Sequence, residues 1–73
     1  MQIKKLTLKQ ARQLADLTQE EAAERIGVTK YTILKWEKGR SFPNAEQIGL
    51  IEKAYGVPYS MILFLERRKN EKT

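Results

Sequence analysis

The chain has 73 residues, 14 Lys and Arg against 9 Asp and Glu for a net charge of +5, and neither cysteine nor histidine. One domain is all this length holds, burying about 60% of its unfolded surface, and an apolar content of 41% argues against global disorder. The two missing residue types exclude disulfides, thiolate or imidazole metal sites and His-based catalysis, while the charge points to an anionic partner, nucleic acid and membrane surface alike.

The N-terminus, MQIKKLTLKQ, carries lysines with no apolar run behind them, which is not a secretory leader. The most apolar run, Met61–Leu65, is far short of the ~20 residues a membrane helix needs. The expectation is a soluble, cytoplasmic, nucleoid-associated protein with no membrane contact, no cofactor and no metal. No segment shows a trustworthy strand alternation; Gln2–Leu6 alternates but is too short.

The first helix begins at Thr7, where Thr7 and Gln10 have capping-box spacing. Leu8, Ala11, Leu14 and Ala15 recur as one apolar stripe, and Asp16 ends the helix. The second starts at Thr18, with Glu21 completing another box and Glu20 and Glu21 set against the positive end of the dipole. Ala22, Ala23 and Ile26 face inward, and Gly27 supplies a left-handed cap. Val28 follows, then Thr29 as the next N-cap. A link this short forces the second and third helices to cross steeply. Ile33 and Trp36 are the apolar positions of the third helix, which Gly39 ends. After the loop Arg40–Pro43, Asn44 and Gln47 cap a fourth helix with Ile48, Ile51 and either Ala54 or Tyr55 inward, stopped by Gly56. Pro58 suits the first turn of a fifth helix over Tyr59–Glu66. The expected fold is all-α: a five-helix domain over residues 1–66 with a helix-turn-helix at helices two and three, then a polar, frayed tail over residues 67–73.

With Ile33 and Trp36 inward, 100° per residue puts Lys30, Tyr31 and Lys35 on the opposite side of the third helix and Thr32 on its flank. Such a face offers donors to guanine edges and phosphates and contacts to thymine methyls. Residues 29–41 hold Lys30, Lys35, Lys38 and Arg40 against Glu37 alone, whereas helix two holds Glu20, Glu21 and Glu24 against Arg25. This asymmetry suits a protein with one DNA-facing side. The plainer readings are a solvated lysine face and a Tyr31 that packs on its own helix; Trp36 reads as core. Glu20, Glu21 and Glu24 are the only carboxylate cluster and read as charges at a helix N-terminus, so the chain is read as a non-enzyme.

The run TQEEAAERIGVTKYTILKWEKG, Thr18 to Gly39, resembles the lambda-repressor-like, Cro/CI (Xre-type) helix-turn-helix family of transcriptional regulators. The resemblance extends from about Leu6 to Leu65 and includes Pro43 before helix four and the Gly56-Val57 pair before helix five. It implies sequence-specific regulation from a double-stranded DNA operator by a prokaryotic or phage repressor or Cro-like protein. It implies that Lys30, Tyr31, Thr32 and Lys35 read bases in the major groove. Gln19, Thr29, Lys38, Arg40 and Ser41 would hold phosphates, Gln19 also bracing the start of the reading helix. Arg12 and Glu37 match a family pair that forms a structural salt bridge between helices one and three.

Three positions depart from the pattern. Asp16 stands where the family usually has glycine, which predicts a slightly strained turn. Leu34 occupies a usually polar position and reads as a contact to a thymine methyl, a rest for a neighbouring loop, or an exposed residue. Lys30 and Lys35 replace glutamines of some relatives, which favours guanine O6/N7 or phosphate as targets.

Tyr59, Met61, Ile62 and Phe64 are more apolar than one short terminal helix needs, with Leu63 and one neighbour facing the core. They predict a homodimer through helix five on half-sites one helical turn apart; the alternative is a monomer whose helix five closes the core. A protein-interaction module that recruits a toxin or RNA polymerase is the competing function.

Overall fold

The computed structural model describes residues 5–63. In chain order these form β1 (Leu6–Thr7), α1 (Leu8–Leu14), α2 (Gln19–Ile26), α3 (Lys30–Glu37), α4 (Ala45–Tyr55), a 3-10 turn (Tyr59–Met61) and β2 (Ile62–Leu63). The helix starts follow from local chemistry. Thr7, Thr18 and Asn44 each accept the N3 backbone N–H while Gln10, Glu21 and Gln47 reach back to the cap N–H. Thr29 caps α3 by accepting from Thr32 N.

The ends of α1 and α3 share one device. At α3, Gly39 N donates to Trp36 O and Arg40 N to Lys35 O, with Gly39 at φ 73. That is a Schellman turn. The same pattern closes α1, where Asp16 N donates to Gln13 O and Leu17 N to Arg12 O. Here the left-handed residue is Asp16, at φ 64, in place of a glycine.

α1, α2, α3 and α4 enclose one core of Leu8, Ala11, Leu17, Ala22, Ala23, Ile26, Ile33, Trp36, Ile51, Tyr55 and Ile62. Ala22 and Ala23 are buried where α2 meets its neighbours, and their small side chains permit close approach. The stripe expected on α1 is corrected at one position. Leu14 is 71% exposed, and Arg12 is buried instead. The reason is angular: Leu14 lies roughly 120° round the helix from Leu8, whereas Arg12 lies about 40° from it.

The fifth helix expected over Tyr59–Glu66 is also corrected within the described residues. After one 3-10 turn the chain is extended, and β2 runs parallel to β1 in the register Leu6↔Ile62 and Thr7↔Leu63. Ile62 sits in the core at 4% exposure while Leu63 is 47% exposed, the reverse of the expected facing. Period-two alternation has replaced the helical period, because the Ile62 N–H closes the 3-10 turn on Tyr59 O and the chain then pairs with β1 instead of continuing the turn. Phe64, the remainder of the expected fifth helix and the tail lie outside the described residues.

Candidate nucleic-acid interface

α2 and α3 are joined through Gly27, Val28 and Thr29. Gly27 adopts φ 87, and a Cβ built there meets no atom within 4 Å, so the backbone angle alone requires glycine. Ile33 and Trp36, at 1% and 4% exposure, fix the inward face of α3. Lys30 and Tyr31 then lie exposed, and Thr32, Leu34 and Lys35 half-buried.

The outer face of α3 has internal order that the sequence does not reveal. Lys35 Nζ stands 5.1 Å from the centroid of the Tyr31 ring, within cation–π range. Lys30 Nζ lies 3.3 Å from Glu20 Oε2, linking the first turns of α2 and α3. The Thr29 and Thr32 hydroxyl oxygens are 3.1 Å apart. Among the described residues, Lys38 and Arg40 belong to neither ion pair, and both are exposed beside the half-buried Ser41.

Behind this face a buried network sets the angle of α3. Arg12 Nε donates to Glu37 Oε2 at 2.6 Å, Arg12 Nη2 to Glu37 Oε1 at 3.3 Å, and Arg12 Nη1 to the Leu17 carbonyl at 2.9 Å. Gln19 Nε2 donates to Glu37 Oε1 at 3.1 Å. One carboxylate at the end of α3 is thereby tied to α1 and to α2. The hydrogen bond to Glu37 raises the pKa of Arg12 against the opposing effect of burial, so its charge is permanent. Burial, and then the nearby Glu37 charge, push the Tyr55 phenol up to about 12. Gln19 therefore meets the last residue of α3, not its start as expected.

Of the residues assigned to a dimer contact, Tyr59 is exposed, Met61 half-buried and Ile62 buried. Tyr59 N is held by Glu52 Oε2 at 2.6 Å. Ile62 offers no surface to a partner.

Residues 8–62 match the helix-turn-helix family. The chain is 46% identical over 48 residues to the cryptic phage CTXphi transcriptional repressor RstR of Vibrio cholerae, covering 66% of this chain and 43% of that protein. It is 39% identical over 56 residues to the HTH-type transcriptional activator BcrR of Enterococcus faecalis, covering 77% of this chain and 28% of that protein. An uncharacterized HTH-type transcriptional regulator of Methanothermobacter thermautotrophicus is 40% identical over 58 residues, 80% of this chain and 84% of that protein. The chain thus spans less than half the length of the first two relatives and most of the third.

Proposed function

The chain belongs to the helix-turn-helix family of Cro/C1 type, and from that premise we propose that it is a sequence-specific, double-stranded DNA-binding transcriptional regulator of prokaryotic or phage type. The observation that carries this reading is the outer face of α3, with Lys30, Tyr31 and Lys35, backed by the buried Arg12–Glu37–Gln19 network and followed by Lys38 and Arg40. The major groove is about 12 Å wide and admits a helix. Lysine donors there suit guanine O6 and N7, and Tyr31 and Thr32 offer thymine-methyl contacts. Lys38, Arg40, Ser41, Thr29 and Gln19 hold the flanking phosphates, which sets register rather than sequence. Relatives named as an activator and as a repressor share this unit. The unit therefore supplies attachment to DNA, and the direction of control comes from where it sits and what adjoins it.

One helix in one groove makes few base contacts. A two-fold dimer on half-sites about 34 Å apart removes that shortfall. Its contact surface is Tyr59, Met61 and the exposed Leu63, with Phe64 beyond the described residues; Ile62 belongs to the core.

Selection of duplexes from a random pool tests the proposal, because it returns the half-site and the spacing together. Lys35→Ala should then cost roughly 1–3 kcal/mol at one base position, while Lys38→Ala should weaken all sequences alike and flatten the salt slope by about 1. Failure to enrich any sequence would remove the claim of specificity, and a uniform loss in both variants would remove the groove assignment of Lys35.

A further inference from the structure

We propose that Glu20 is a specificity-determining residue: its carboxylate withholds Lys30 from DNA phosphates and leaves it to the neutral edges of bases. The inference rests on the DNA-binding reading above and names a regulator of that same face.

Three observations carry it. First, Glu20 Oε2 lies 3.3 Å from Lys30 Nζ, across the turn that joins α2 to α3. The two side chains remain 68% and 55% exposed, so the pair sits in water and adds little to stability. Its role is therefore not to hold the fold. Second, among the described residues Lys30 is the one cation of the Lys30, Lys35, Lys38 and Arg40 group that an acidic side chain neutralises. Lys35 faces an aromatic ring, which leaves its charge uncompensated. Third, Glu20 follows Gln19 in the first turn of α2 and is itself exposed, so its charge stands beside the Lys30 ammonium on the outer surface. Glu20 is ionised at neutral pH as any exposed glutamate is, and the Lys30 hydrogen bond shifts its carboxyl further down.

The discrimination follows from sign. A phosphate that approaches Lys30 meets a second anion at hydrogen-bond distance, and like-charge juxtaposition opposes it. A guanine O6/N7 edge carries only partial negative charge and shares the ammonium against a weaker repulsion than a phosphate meets. Lys30 thus contributes less to binding that ignores sequence than Lys38 or Arg40 does.

The test is a double-mutant cycle with wild type, Glu20→Gln, Lys30→Ala and the double variant. Each is titrated with a duplex recovered by selection and with a random-sequence duplex at several salt concentrations. Glu20→Gln should tighten the random duplex more than the selected one. It should also steepen the random-duplex slope by about 0.9, an extra loss of roughly three- to fourfold between 50 and 200 mM salt. Both effects should vanish in the Lys30→Ala background. Equal tightening of both duplexes, an unchanged slope, or the same gain without Lys30 would overturn the inference while wild-type binding still stands. A wild type that binds no duplex would overturn it together with the DNA-binding reading.

Discussion

Asp16 carries the clearest local cost among the described residues. It holds the left-handed position of a Schellman turn at φ 64, where an L-residue pays about 1–2 kcal/mol. Asp16→Gly removes that strain and adds back about 0.5–1 kcal/mol of glycine entropy. The net expectation is a gain of about 0.5–1 kcal/mol in urea unfolding, with DNA affinity unchanged. No gain would mean that the aspartate side chain offsets its own backbone strain. Arg12 is the opposite case. Its guanidinium serves Glu37 twice and the Leu17 carbonyl once, in a nearly buried site. Arg12→Ala strands the Glu37 carboxylate and should cost roughly 3–5 kcal/mol. Arg12→Met with Glu37→Leu should recover much of that loss, since a buried pair is often replaceable by apolar groups. An additive double variant would show that the two side chains contribute separately.

At the scale of elements, each helix is short and depends on its ends. α1 has seven residues and α2 and α3 eight each. Thr18→Ala removes the side-chain half of the α2 capping box, leaves the backbone N–H of residue 18 to donate to Glu21 Oε1, and should cost about 1 kcal/mol by thermal or chemical unfolding. Gly27→Ala meets no atom, so its cost is conformational, about 1–2 kcal/mol. A loss well above that range would point to a packing role for the turn. Both variants keep the groups of the reading face, so their effect on DNA affinity should follow stability alone. Helix starts, glycine stops and the steep α2–α3 turn are legible in the sequence because they depend on residues three or four apart. The end of the described chain is not. The apolar residues Tyr59, Met61, Ile62 and Leu63 suit a helix and a strand equally, and pairing with Leu6 and Thr7, far away in sequence, selects the strand.

For the whole molecule, the buried Tyr55 couples stability to alkaline pH. Its folded pKa is raised from 10.0 to about 12, chiefly by burial. The folded chain holds this proton more tightly than the unfolded chain does. The contribution is therefore complete below pH 10 and is lost as pH rises towards 12. Unfolding free energy should fall over that window, and Tyr55→Phe should fall less steeply over the same window. Parallel curves for the two proteins would remove Tyr55 from the account.

Residue order alone is enough to place the starts of α1 to α4, the glycine or its substitute that stops them, and the face of α3 that carries Lys30, Tyr31 and Lys35. These depend on caps, backbone angles and helical period, all local. The packing of elements against one another is what buries Arg12 and exposes Leu14, puts Ile62 in the core and Leu63 outside it, and brings Glu20 to Lys30. Each of those depends on how separate elements cross, and a helical or strand period carries no information about the neighbour it will face.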